Sequence, residues 1–256
     1  MTAPLKVTTA DVVIPTEVPT ATRGLRGLLA LPDGAGPWPA VVMVHEAFGL
    51  TDEMRTQVVR LASAGYVVLM PDLFTAGGAR KCLVATFRAL MSGSGRAFDD
   101  IESARRFVAG RADVTGGTGV IGFCMGGGFA LMTASRGFAA SSVNYGQLPK
   151  ELDAVLVDAC PIVASFGGRD KSLKGAAARL EAGLERAGVP HDVKEYPAAG
   201  HSFLDETLPG PAPLKPLLRV MGAGPSPVDA ADAWGRIESF FAEHLAPAGT
   251  PSPGSR

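Results

Sequence analysis

Charge is scarce in this chain and evenly spread. Only 19% of the 256 residues are Asp, Glu, Lys or Arg, the formal net charge is -1, and no run of like charges occurs. A basic stripe for nucleic acid and a polybasic patch for anionic lipid are both missing, so neither nucleic acid nor a membrane surface is expected as a partner. Long hydrophobic runs are missing as well. No window reaches the roughly 18 apolar residues of a membrane span, and residues 1–10 hold no apolar stretch like that of a secretory signal, which leads us to expect a cytoplasmic protein. Cysteine is sparse too: Cys82, Cys124 and Cys160 form no C-x-x-C pair and are odd in number. That argues against a disulfide framework and against a cysteine-based zinc site.

What is present is apolar material, 46% of the residues, in a length that suits one large domain. Ala40–His45, Tyr66–Met70, Val120–Phe123 and Pro161–Phe166 are short, continuous apolar runs rich in branched side chains, as parallel strands covered on both faces are. Between them Met54, Val58 and Leu61, and then Ile101, Ala104 and Val108, recur at helical spacing. That alternation predicts a parallel α/β sheet over residues 1–246. Ser172–Ala187 reads as a helix, His191–Tyr196 as a strand and Ala230–Leu245 as a closing helix. Residues 207–227 carry six prolines in twenty-one positions, too many for a helix, and are expected to be an ordered loop, a lid or a linker. The tail from Ala246 has no periodicity, so 247–256 are expected to be flexible.

One cysteine stands where an apolar run meets a crowd of glycines, in GVIGFCMGGGFAL, residues 119–131. Residues 117–122, GTGVIG, satisfy G-x-G-x-x-G, but the pattern overlaps the strand instead of following it. No Asp or Glu lies between Val114 and Lys150 to grip a ribose, so dinucleotide binding is not supported. Gly122, Cys124 and Gly126 instead match the strand–nucleophile–helix frame G-x-S-x-G with sulfur in place of oxygen. In that frame the backbone at the nucleophile is strained and a Cβ two residues to either side would collide with a neighbouring element. The Met125 amide would point at a developing oxyanion, and the positive end of the following helix favours a thiolate. A buried, inert cysteine is the plainer alternative.

A nucleophile of this kind needs a base, and the elbow architecture supplies nucleophile, acid and histidine in that order. Asp170, in GGRDKS, follows the strand ending at Phe166; His201, in PAAGHSF, follows the strand ending at Tyr196. Ligands in such sheets bind at those strand ends. His201 would carry the thiol proton to the leaving group, and Asp170 would fix its tautomer. His191 and His244 are expected to be structural. His45 and Glu46 end the strand 40–45, but H-E-x-x-H would need a histidine where Gly49 stands, so zinc hydrolysis is excluded. The same loop could supply a second oxyanion amide from Ala47. Glu46, drawn into an apolar cleft, should have a raised pKa unless it is simply a solvated loop residue.

Together Val44–Gly49 (VHEAFG), Gly65–Phe74 (GYVVLMPDLF), Val120–Gly127 (VIGFCMGG), Gly167–Asp170 (GGRD) and Gly200–Phe203 (GHSF) make the chain resemble the dienelactone hydrolase family. The resemblance implies an α/β-hydrolase fold, a mostly parallel sheet with helices on both faces. It implies a triad of Cys124, Asp170 and His201, with Glu46 engaging the resting thiol. The implied reaction hydrolyses a small ester or lactone through a thioester, without metal or organic cofactor. Family members that act on dienelactone hold its carboxylate with two arginines; here the first position falls near Arg80, two residues late, and the second is Asp205. An acid facing the substrate there would repel a carboxylate, so a changed or broadened substrate is expected. The alternatives are a thiol redox protein, although no second cysteine stands near Cys124 in sequence, and a binding protein on the same fold.

Overall fold

Strand β5, Val114–Phe123 in a computed structural model that describes residues 4–210, 212–220 and 222–246, shows how this sheet is covered. Side chains alternate across a strand. Phe123 packs against Trp234 with ring centroids 6.0 Å apart, and a Cβ at Gly119 would meet Leu245 and Phe241, whereas a Cβ at Gly122 would meet Gly126 on the other face. Both faces of a buried strand must therefore be apolar, which is why its sequence is a continuous apolar run.

In chain order the elements are β1 (Val7–Val13), β2 (Arg26–Pro32), β3 (Trp38–Val44), α1 (Asp52–Ser63), β4 (Val67–Pro71), α2 (Ala79–Ser92) and α3 (Arg96–Ala109). After β5 come α4 (Met125–Met132), β6 (Ala140–Asn144), α5 (Leu152–Leu156), β7 (Ile162–Gly167), α6 (Ala176–Ala187), β8 (His191–Tyr196), α7 (Lys215–Val220) and α8 (Pro227–His244). The eight strands form one sheet in the order β1-β2-β4-β3-β5-β6-β7-β8. Only the pairs β1/β2 and β2/β4 are antiparallel. The other pairings are parallel, so the carboxyl ends of β3, β5, β6, β7 and β8 open on one edge.

Helix α1 begins where Thr51 caps the amide of Met54, with Asp52 and Glu53 in the first turn, and Gly65 takes φ +98° just beyond its end. It shares a face with α8: Arg60 reaches Glu238 at 3.6 Å and lies over Trp234. On the other face α2 packs on α3 and α4, with Phe98 of α3 edge-on to Phe129 of α4.

Three expectations need correction. The helix at 172–187 is broken: Lys171–Leu173 is a 3-10 turn, Gly175 takes φ +74°, and α6 starts at Ala176. The Asp170 carboxylate accepts from the Ser172 amide and so bends the first turn toward itself. Within 207–227 there is helical structure after all, a 3-10 turn at Ala212–Leu214 leading into α7. Pro216 is tolerated because it falls in the first helical turn, where an amide has no partner to lose. Strands β1, β2 and β6 were missed; β1 is largely exposed and β6, ASSVN, is too polar to stand out. The expected flexible tail, 247–256, lies outside the described residues. Among the described residues no helix is long and apolar enough to cross a membrane.

Candidate active site

Cys124 is the single residue between β5 and α4, with φ 53° and ψ -115°. A side chain at positive φ costs about 1–2 kcal/mol, so the surroundings must hold it there. The Cys124 amide donates to the Asn144 carbonyl at 3.0 Å, and its own carbonyl accepts from Gly128 at 3.2 Å. The flanking glycines are demanded sterically. A Cβ on Gly122 would fall on the Gly126 carbonyl, one on Gly126 would fall on the Val44 carbonyl of β3, and one on Gly127 would lie 2.6 Å from the Asn144 oxygen. Met125 opens α4, so its amide has no partner within the helix.

The strand ends gather Glu46, Ala47, Cys124, Met125, Asp170 and His201 around one cavity of about 610 Å³. The Nδ1–H of His201 donates to Oδ2 of Asp170 at 2.5 Å, and Oδ1 of Asp170 accepts from the Ser172 amide and hydroxyl at 3.0 and 2.6 Å. Burial would raise the Asp170 pKa, but these bonds from His201 and Ser172 outweigh it and hold the carboxyl below its usual range. Burial likewise opposes charge on His201, yet Asp170 and the sulfur of Cys124 together lift the imidazole to about 10. Sulfur, ring and carboxylate thus act on one another in sequence. The Ala47 amide lies in a turn closed by Gly49 donating to the Glu46 carbonyl, and has no backbone acceptor among the described residues.

Glu46 is only 2% exposed, and burial above all pushes its pKa to about 7, against a lowering pull from His201. Its Oε1 is buried without a hydrogen-bond partner among the described residues. Glu46 and Cys124 line the same cavity, and the sulfur of Cys124 acts on the His201 ring. His45 is fully buried and neutral, donating from Nδ1 to the Glu46 carbonyl and accepting the Leu73 amide at Nε2; desolvation keeps its pKa low. It braces the loop that carries Glu46 and Ala47.

Arg80 is not brought to the cavity. It is exposed in the first turn of α2, whose buried residues are Cys82, Thr86 and Leu90, and two positions before Cys82 is nearly the opposite side of a helix. Asp205 does not face the cavity either. It is 2% exposed behind Tyr145, whose hydroxyl donates to its Oδ1 at 3.2 Å, and burial, with Glu46 and Glu53 nearby, raises its pKa well above the carboxylate range. The repulsion expected from Asp205 therefore has no direct line to a substrate.

No sequence pattern pointed to Tyr145. It follows β6 at φ 39°, lines the cavity and packs 5.1 Å from the His201 ring. Among the described residues Cys124, Tyr145 and Ser202 are three of the four non-glycine residues at positive φ, and all three border the cavity, so backbone strain is concentrated there. The proline-rich segment is tied to the site. Ala223 pairs with His201, Gly224 donates to the His201 carbonyl at 2.9 Å, and Pro209, Leu218 and Ala223 form part of the cavity wall. Among the described residues no group of three or more His, Cys, Asp or Glu could hold a metal ion.

Comparison with known proteins bears on what this cavity does. The model of the dienelactone hydrolase family matches residues 25–245. A carboxymethylenebutenolidase of Rhodococcus opacus is 30% identical over 230 residues, spanning 82% of this chain and 83% of its own. One from Pseudomonas putida is 29% identical over 188 residues, spanning 69% and 80%. Among solved structures, a dienelactone hydrolase of Anabaena variabilis superposes with a TM-score of 0.68 at 19% identity over 94% of this chain and 99% of its own. A dienelactone hydrolase-like promiscuous phosphotriesterase from metagenomic libraries does so with a TM-score of 0.75 at 21% identity, over 95% and 100%. At those identities the two structures speak to the fold, which is that of the α/β hydrolases.

Proposed function

The chain belongs to the dienelactone hydrolase family and is an ester or lactone hydrolase, and on that premise we propose that Cys124 is its nucleophile and that hydrolysis passes through a thioester. What supports this reading is that Cys124, His201 and Asp170 line one cavity, with the His201 ring hydrogen-bonded to the Asp170 carboxylate.

The thiol proton passes to Nε2 of His201, and the sulfur attacks the carbonyl carbon of the bound ester. Negative charge then develops on the carbonyl oxygen, where the amides of Met125 and Ala47 stabilise it. Collapse of that adduct breaks the bond to the alkoxy oxygen, which takes the proton from His201 and leaves as the alcohol, or stays tethered in a lactone. Water then gives a proton to His201 and attacks the thioester carbonyl. The second adduct expels the sulfur, which takes the proton back from His201, and the acid product departs. Asp170 holds the ring in the tautomer that leaves Nε2 free and stabilises it when it is charged. Glu46, titrating near neutrality, is a second proton-holding group in the same cavity.

Turnover of p-nitrophenyl esters and a small lactone by wild type, Cys124→Ala and His201→Ala, with intact mass read during turnover, tests the proposal. An acyl adduct on the wild-type chain and loss of turnover in both variants are expected. Undiminished turnover in Cys124→Ala removes the cysteine from the chemistry, and peroxide consumption without esterase activity moves the protein to the thiol redox class.

A further inference from the structure

We propose that the cavity is built for a neutral, largely apolar ester or lactone with an aromatic or medium-length acyl group, and that it discriminates against substrates carrying a carboxylate on the acyl chain. The inference rests on the hydrolytic reading above and adds the chemistry of what is bound. About 610 Å³ lies within the roughly 300–1,000 Å³ of cavities that bury drug-sized ligands. Beyond the reacting groups most of its wall is apolar, Phe48, Phe87, Leu90, Leu173, Pro209 and Leu218 among it, and its uncharged polar side chains, Tyr145, Gln147, Ser172 and Ser202, can hydrogen-bond a neutral carbonyl. Phe48, Phe87 and Leu218 are only half-buried, so they keep apolar surface that a substrate can cover.

The charges in the cavity point the same way. His201 and Asp170 already neutralise each other. Glu46 is an acid whose buried Oε1 has no partner among the described residues: ionised it repels an anion, and protonated it offers no positive charge. Among the described residues no guanidinium lines the cavity, and the cation that does, Lys171, is solvent-exposed on the 3-10 turn after Asp170. An exposed ammonium stays hydrated and does not offset the dehydration of a carboxylate against apolar walls.

The test compares p-nitrophenyl hexanoate with mono-p-nitrophenyl adipate, acyl groups of equal length that differ in one terminal carboxylate. Values of kcat/KM are taken for wild type, Lys171→Ala, Phe87→Arg and Leu218→Arg, with Cys124→Ala as the blank. Wild type is expected to favour the hexanoate by at least about thirtyfold, the cost of leaving a charge unpaired in an apolar site. Lys171→Ala should leave that ratio within about twofold, as for an exposed charge, and each arginine variant should narrow it by about tenfold. Equal or faster turnover of the adipate ester overturns the inference, as does a ratio that widens markedly in Lys171→Ala. Folded arginine variants with an unmoved ratio also overturn it. Full turnover in the Cys124→Ala blank would instead defeat the hydrolytic reading, whichever ester is preferred.

Discussion

Nδ1 of His201 lies 2.5 Å from Oδ2 of Asp170, while the other carboxylate oxygen is held by the amide and hydroxyl of Ser172. The ring is therefore fixed from behind by a group that is itself fixed. Asp170→Asn keeps the shape and an acceptor for Ser172, but it can present an amide to the ring and favour the wrong tautomer. We expect kcat to fall by about 10³–10⁴, as for loss of the acid in such triads, with little change in the thermal midpoint. His201, lifted to about 10 in the folded protein from 6.5, contributes stability that is complete below pH 6.5 and is lost as pH rises through about 10. An NMR titration of the ring should move to lower pH in Asp170→Asn. Activity within tenfold of wild type would take Asp170 out of the proposed triad.

Glu46 carries the opposite linkage. Its folded pKa, about 7, lies above the ordinary 4.5, so between those values the folded chain binds a proton that the unfolded chain has released. Stability falls as pH rises across that window, by at most roughly 3.5 kcal/mol at about 1.36 kcal/mol per pH unit. Glu46→Gln removes the titration. Its thermal midpoint should equal or exceed that of wild type at pH 8 and should change less between pH 5 and pH 8. Parallel pH dependences in the two proteins would show that Glu46 is not the buried acid described here.

Two glycines make opposite predictions from geometry alone. At Gly126 a Cβ would fall on the Val44 carbonyl, a backbone atom of the adjacent strand that cannot swing aside. Gly126→Ala should cost more than the roughly 1–3 kcal/mol of ordinary overpacking and abolish esterase activity. Gly235 lies inside α8, and nothing is found within 4 Å of the Cβ it would gain. Gly235→Ala should stabilise the protein by roughly 0.5–1 kcal/mol through helix propensity and a less free unfolded chain. Differential scanning calorimetry of both variants gives the signs directly.

The parts of the fold visible in the sequence are those where burial and periodicity coincide. β3, β4, β5 and β7 are apolar on both faces because helices cover both faces, and such runs cannot hide. β6 could not be found that way, because Ser141, Ser142 and Asn144 place polar groups inside the core: Ser141 donates to the Ala130 carbonyl, and Asn144 donates to the Gly122 carbonyl and the Ser142 hydroxyl, while its Oδ1 is buried without a partner among the described residues. Missing β6 meant missing Tyr145, which follows it. Cys124, Asp170 and His201 were visible because each sits in a glycine-marked turn after a strand, apolar before Cys124 and Asp170 and polar before His201, and backbone geometry leaves a mark on composition. What lines the rest of the cavity was not visible. Pro209 and Leu218 reach it through the pairing of Ala223 with His201, a long-range contact with no local pattern.

The placement of Asp205 shows why a position four residues beyond a histidine could not be read as facing the substrate. Its Oδ1 accepts the Tyr145 hydroxyl, its Oδ2 is buried without a partner among the described residues, and burial with Glu46 and Glu53 nearby favours its neutral form. A neutral acid is close in shape and polarity to an amide. Asp205→Asn should therefore keep kcat/KM for a neutral ester within about threefold and should gain stability relative to wild type as pH rises above 3.8, where the unfolded wild-type chain releases a proton that the folded chain keeps. Asp205→Ala, by contrast, strands the Tyr145 hydroxyl and should cost roughly 1–3 kcal/mol. It should also loosen the ring packed against His201, lowering kcat more than it raises KM. If Asp205→Asn instead changes the selectivity between hexanoate and adipate esters severalfold, the carboxylate does sense the substrate, and the cavity extends behind Tyr145 when a ligand is bound.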